Sequence, residues 1–196
     1  MKKALILIEC QNEWLSPKGK LHSLIEDKEM VDLSAVNIEK VLRHARNVEM
    51  PIAHVGLRFQ KGYPELANGK SGLHKAIPIV GTFPLNEFGS QFYEPLQPIE
   101  NEFIVTGRTG ASGFAGSNLD VWLRNNKIDD LYIVGYATHV CVESTLREAH
   151  DKGYNPILVS DASAAFNRMQ QDYVLQHIVH HFGESITTNE FLNVQL

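Results

Sequence analysis

A chain of 196 residues, 43% of them apolar, is predicted to form one globular domain over residues 1–196 with a full core and no need of staples. Its formal charge of −5 leaves no basic surface for a nucleic acid backbone, and no apolar run approaches the roughly 18 residues that span a bilayer. Two cysteines, Cys10 and Cys141, are too few for a disulfide framework, so a reduced, cytoplasmic protein with a small-molecule partner is expected.

The first apolar run, Ala4-Leu5-Ile6-Leu7-Ile8, follows Lys2-Lys3 like a secretory leader. Glu9, Gln11, Asn12 and Glu13 end it after five residues, so it reads as a buried strand over 3–9. Ser34 is a good N-cap for a helix whose Ile38, Val41, Leu42, Ala45 and Val48 recur at helical spacing. A second strand is expected at 51–57. Residues 60–101, rich in Gly and Pro and without clear periodicity, are long for a plain connection and have the character of a lid or binding loop. After a third strand at 102–106, Ser117 and Asp120 stand at capping-box spacing before a helix that turns Leu119, Trp122 and Leu123 inward. A fourth strand at 130–135 runs directly into a helical pattern of Val142, Thr145, Leu146 and Ala149, which Gly153 can close. A fifth strand at 155–160, a helix carrying Leu175, Ile178, Val179 and Phe182 up to Gly183, and a sixth strand at 184–188 follow. Strand and helix alternate throughout, which argues for crossover units around a parallel sheet, an α/β fold.

In such sheets ligands bind beyond the carboxyl ends of the strands. Strand one delivers Glu9 there, strand three delivers Arg108 after Gly107, and strand four delivers the turn that holds Cys141. An acid, a cation and a thiol in one crevice can attack a carbonyl and move the protons involved. Cys141 lies near the positive end of a helix dipole, which favours thiolate, and backbone N–H groups from Ala137 to Cys141 can face a developing oxyanion. Each residue also has a plain structural reading: a small buried thiol, a surface strand end and a salt-bridging arginine. Cys10 faces the opposite side of its strand from Glu9 and reads as core. Gln11 and Asn12 read as hydrogen-bonding partners of loops near the crevice. His139 reads as a crevice-mouth residue or an exposed helix start, and His180-His181 as a solvated face.

Three segments carry a family resemblance: Leu7-Ile8-Glu9-Cys10-Gln11-Asn12-Glu13-Trp14, then Arg108 to Phe114 with Gly116-Ser117-Asn118-Leu119, then Gly135 to Ala149 with Gly153-Tyr154 and Val159-Ser160-Asp161-Ala162. In these the chain resembles the isochorismatase-like cysteine hydrolases, over nearly its whole length and in the right order. The resemblance implies a Rossmann-like three-layer αβα sandwich around a six-stranded parallel sheet in the order 3-2-1-4-5-6. It implies an Asp-Lys-Cys triad, a non-proline cis peptide before Ala137, and an oxyanion hole from the N–H groups of Ala137 and Cys141. It also implies a homo-oligomer, a dimer or larger. The chain departs from the pattern at two triad positions, with Glu9 for Asp and Arg108 for Lys. Glu keeps the carboxylate with one more methylene. Arg keeps the charge but cannot give up a proton near neutral pH, and its fork can pair bidentately with a longer acid. Nicotinamidases of the family hold a metal through an Asp-x-His segment after strand two, where this chain reads His54-Val55-Gly56-Leu57-Arg58-Phe59-Gln60; no metal or other cofactor is expected.

Trp14, Arg58, Phe59, Tyr63 and Tyr136 are the expected pocket-lining residues and suggest a flat or partly anionic small molecule. The reading is a metal-independent cysteine hydrolase that cleaves a C–N bond of a small amide or carbamoyl compound through a thioester. The alternatives are a catalytically silent binding protein, a vinyl ether hydrolase of the kind that acts on isochorismate, and a thiol redox protein, for which no resolving cysteine lies nearby.

Overall fold

A strand buried on both faces must be apolar at every position rather than at alternate ones. In a computed structural model, which describes residues 2–66 and 69–196, β1 (Lys2–Ile8) is such a strand, fully buried from Ala4 to Ile8. It lies at the centre of a six-stranded sheet with β2 (Ile52–Val55), β3 (Phe103–Ile104), β4 (Ile128–Tyr136), β5 (Asn155–Ala164) and β6 (Glu184–Ile186). The order is β3-β2-β1-β4-β5-β6, every pairing is parallel, and it is the topology implied by the resemblance.

Alternation along β1 sorts its side chains between two layers. Leu5 and Leu7 pack with Ile38, Val41, Leu42 and Ala45 of helix α2 (Lys28–Asn47), which follows the short α1 (Asn12–Leu15). Helix α3 (Gly72–Val80) contributes Ile77 to this layer. Ala4, Ile6 and Ile8 pack on the other face with Leu119 and Leu123 of α4 (Leu119–Asn125) and Leu146 and Ala149 of α5 (Glu143–Asp151). That layer continues into α6 (Arg168–His177) and α7 (Val179–Phe182), while α8 (Thr188–Phe191) returns Phe191 to the α2 side. Among the described residues no helix is long and apolar enough to cross a membrane.

The register brings the strand ends level. Ile8 pairs with Val55 on one side and Gly135 on the other, so the residues just past these positions share one edge of the sheet. Gly135 is required there: its φ is 116° and a Cβ would sit 2.0 Å from the Ile8 carbonyl oxygen.

Strand bounds shift from the sequence reading, most at β5, which runs past 160 to Ala164, and at β3, which is only Phe103–Ile104, and the helices and loops differ in four further places. Helix α2 starts at Lys28, where the Asp27 side chain accepts from the Met30 N–H at 2.9 Å; Ser34 lies inside the helix, donating to the Val31 carbonyl at 2.7 Å. No capping box opens α4: the Ser117 hydroxyl donates to the Gly113 carbonyl at 2.6 Å, and Asp120 takes the Tyr154 hydroxyl at 2.7 Å. The helix expected up to Phe182 is two, divided at Ile178. The segment 60–101, apart from 67 and 68, which lie outside the described residues, is not wholly irregular, because it contains α3, stopped by Gly81 at φ 72°.

Candidate active site

Glu9 is the first residue past β1, and its backbone is bent into the left-handed region at φ 48° while its N–H donates to the Val55 carbonyl at 2.8 Å. A non-glycine residue there costs about 1–2 kcal/mol. Each buried Leu or Ile of β1 contributes about 1.5–3 kcal/mol, so the strand readily holds the bend. Arg108 follows Gly107 in the loop after β3, and Cys141 sits in a wide helical turn, Thr138–Val142, between β4 and α5. The Tyr136–Ala137 peptide that opens this turn is cis, in line with the resemblance.

These three residues meet. Arg108 Nη2 donates to Glu9 Oε1 at 2.6 Å, and both side chains are 1% exposed. The second oxygen, Oε2, accepts from the Trp14 indole N–H at 2.8 Å, so the Glu–Arg pair is monodentate and not the bidentate fork that the sequence allowed. The guanidinium is wrapped by its own loop: Nε donates to the carbonyls of Gly110 at 3.0 Å and Ser112 at 3.1 Å, and Nη2 to that of Ala111 at 2.5 Å. Thr145 ties this loop to the cysteine turn, accepting from the Gly113 N–H at 2.8 Å and donating to the Cys141 carbonyl at 2.6 Å. In the sequence Thr145 counted only as part of a helix face.

Burial dominates the electrostatics. It pushes the Cys141 thiol well above its ordinary range, the Glu9 carboxylate adds to the rise, and Arg108 opposes it without prevailing. The thiolate expected from the helix dipole is therefore not the resting form, because desolvation outweighs the dipole. Arg108 loses by burial but gains more from Glu9 and Cys141, and its charge is reinforced.

Glu9 and Cys141 line one cavity of about 260 Å³. Trp14, Leu57, Phe83, Val140 and Phe166 form walls, and α3 closes one side with Leu73, Ala76, Ile77 and Val80. Of the residues expected to line the pocket, Trp14 does so. Arg58 does not: its guanidinium lies 4.6 Å over the Phe92 ring, beside a separate depression with Asn86, Ser90 and Gln91. Phe59 is fully buried, its N–H donating to the Phe83 carbonyl at 3.0 Å. Tyr136 is turned into the α2 layer, with its hydroxyl 2.8 Å from that of Ser34. Tyr63 lies outside the lining and donates its hydroxyl to the Thr82 carbonyl at 3.1 Å. His139 packs edge-on against Phe166, at 4.6 Å between centroids. Cys10 is fully buried in the α2-side core with Leu5 and Leu7, although alternation along β1 would place it with Ile6 and Ile8; the left-handed bend at Glu9 interrupts the alternation. Gln11 bonds both the N–H and the carbonyl of Leu57 at 2.9 Å, and Asn12 donates to the Phe88 carbonyl at 3.1 Å, so both secure loops near the cavity.

His54 is fully buried away from this site and lies 2.8 Å from Glu102 through Nε2. Glu102 also takes the Arg46 guanidinium at 2.7 Å. Among the described residues, no three His, Cys, Asp or Glu side chains gather as a metal site.

A thiol, a carboxylate and a guanidinium thus stand together beside a cavity at the carboxyl edge of a parallel sheet in an α/β fold. The Isochorismatase domain matches residues 3–190, and the chain belongs to the isochorismatase family. It is 28% identical to the ureidoacrylate amidohydrolase RutB of Agrobacterium fabrum over 206 aligned positions, covering 97% of this chain and 89% of that one. A cysteine hydrolase structure from Pseudomonas syringae pv. phaseolicola superposes with a TM-score of 0.81 at 25% identity, covering 97% of this chain and 91% of the other. The nicotinamidase PncA of Bacillus subtilis gives 0.79 at 22% identity, over 95% and 100%.

Proposed function

We propose that the chain is a metal-independent cysteine hydrolase that cleaves the C–N bond of a small amide or carbamoyl compound through a thioester. The observation that carries this reading is that Cys141 and the Glu9 carboxylate, itself held by Arg108 and Trp14, line the same cavity. The named activity of the 28% identical amidohydrolase supports the choice of bond.

In this mechanism a bound carbonyl displaces water from the cavity, Glu9 accepts the Cys141 proton, and sulfur attacks the carbonyl carbon. General base assistance of this kind contributes about 10²–10⁴-fold. The oxyanion is assigned to the N–H groups of Ala137 and Cys141, each such donor contributing on the order of 10²–10³-fold. Glu9 returns the proton to the departing nitrogen, and water repeats the cycle on the thioester. Arg108 keeps its proton throughout and acts by charge alone, balancing the carboxylate in the ground state and the sulfur as it develops negative charge.

Ammonia release from a panel of primary amides and ureido compounds tests the reading, with Cys141→Ala as control. Turnover by the wild type and none by the variant supports it. Equal rates contradict it. The buried, proton-retaining thiol favours a second reading, a silent binding protein, which requires saturable binding with no ammonia from any compound.

A further inference from the structure

We propose that the substrate of this site is a small neutral carboxamide with an apolar acyl group, not an anionic compound; the inference rests on the hydrolase reading above. Of the side chains lining the cavity, only Glu9, Thr82 and Cys141 carry a polar group other than the Trp14 indole N–H, which is spent on Glu9. No cation is among them. Arg108 stands behind Glu9, outside the lining, with Nη2 and Nε committed to Glu9 and to the carbonyls of residues 110–112, and with Nη1 buried without a hydrogen-bond partner among the described residues. Arg58 lies over Phe92, and the Lys20 ammonium donates to the Gly81 carbonyl.

A substrate carboxylate in this cavity would lose its water and meet no cation in the lining, and it would compete with Glu9 for the charge of Arg108 behind it. An alkyl or aryl group would meet Leu57, Leu73, Val80, Phe83, Val140 and Phe166. The volume of about 260 Å³ sets the size. At about 30 Å³ per water-sized group it holds roughly nine non-hydrogen atoms. Hexanamide fits these limits. Its reaction balances without any further reagent: the C–S bond to Cys141 forms as the C–N bond breaks, the thiol proton leaves with the nitrogen as ammonia, and water then releases hexanoate and restores the thiol.

Helix α3 is the specificity-determining element, because Leu73, Ala76, Ile77 and Val80 are what make this side of the cavity apolar. Val80 is half-exposed and tolerates a longer side chain.

The test compares hexanamide with glutaramate, a similar-sized amide that ends in a carboxylate. Turnover is measured on the wild type and on Val80→Arg, and binding is measured by NMR titration on Cys141→Ser. The wild type is expected to favour hexanamide in kcat/KM by about 100-fold or more, the scale of an unpaired buried charge, and Val80→Arg to cut that ratio at least about tenfold. Equal or better use of glutaramate by the wild type overturns the inference while the hydrolase reading stands. Preferential binding of hexanamide to Cys141→Ser with no turnover of either amide by the wild type supports the apolar preference, and the hydrolase reading then falls if the whole amide and ureido panel also releases no ammonia. Binding of neither amide overturns the inference.

Discussion

Glu9 and Arg108 are 99 residues apart in the chain and 2.6 Å apart in the fold, with both side chains 1% exposed. Two unit charges 4 Å apart attract by about 4 kcal/mol at an effective dielectric of about 20, while removing one partner of a buried pair costs about 3–5 kcal/mol because the other is stranded. The pair is thus a commitment of the fold as well as of the site. Arg108→Lys is expected to lower stability by about 1–3 kcal/mol, since a lysine keeps the charge but not the Nε bonds to Gly110 and Ser112. Urea unfolding measures it. Turnover should fall as well, because Glu9 and Arg108 are a matched set; a more active Lys variant would instead mark a degraded site.

Trp14→Phe removes the donor to Glu9 Oε2 and leaves most of the apolar wall. A hydrogen bond to a charged group is worth about 1.5–3 kcal/mol. The expected result is a kcat lowered about tenfold or more with KM changed much less, since the indole orients the carboxylate more than it binds substrate. Steady-state kinetics on one amide separate the two parameters.

The Cys141 thiol is pushed up by burial, so the folded protein holds its proton at a pH where the unfolded chain has released it. A raised value means that stability is fully present below the ordinary thiol range and is lost as pH rises through and above it. Wild type is expected to lose stability above about pH 8.5 more steeply than Cys141→Ala. Denaturant midpoints from pH 7 to 10 show it. Alkylation of Cys141 by iodoacetamide at pH 7 should be slower than that of a free cysteine, the reverse of what a dipole-stabilised thiolate would show.

Burial pushes Glu102 up, but hydrogen bonds from His54, Arg46 and the Ile99 N–H outweigh it and hold the carboxyl at about 2 against an ordinary 4.5. A depressed value stabilises above the ordinary range and is lost as pH falls from 4.5 towards 2. Glu102→Gln should flatten the acid limb of stability over that window. An unchanged limb in circular dichroism would contradict the role given to Glu102.

The central sheet was legible because strands buried on both faces leave unbroken apolar runs, and Glu9 and Cys141 were legible because each follows such a run; Arg108 follows the short, partly exposed edge strand β3, whose apolar Phe103-Ile104-Val105 still marks it. Tyr136 could have been placed from parity alone: it shares a face with Tyr132 and Val134, on the α2 side, while Cys141 packs with the opposite layer. Arg58 and Phe59 could not, since their directions depend on contacts with Phe92 and Phe83 from a loop about 25–35 residues away in the chain. Helix α3 was hidden by Gly72 and Pro78 and by its shortness: over nine residues its apolar face, which lines a cavity, is as well marked as that of α2 but lies within a Gly- and Pro-rich stretch. The protonation of Cys141 was hidden for another reason: the dipole is a local property, but the desolvation that overrides it comes from every layer around the thiol.

The most direct test of the central claim is the intact mass of the wild-type protein quenched during turnover of hexanamide, followed by peptide mapping. A hexanoyl adduct on Cys141 that appears with substrate and decays as substrate is exhausted is the expected result. Ammonia release with no adduct at any quench time, or an adduct on a residue other than Cys141, would contradict the thioester route.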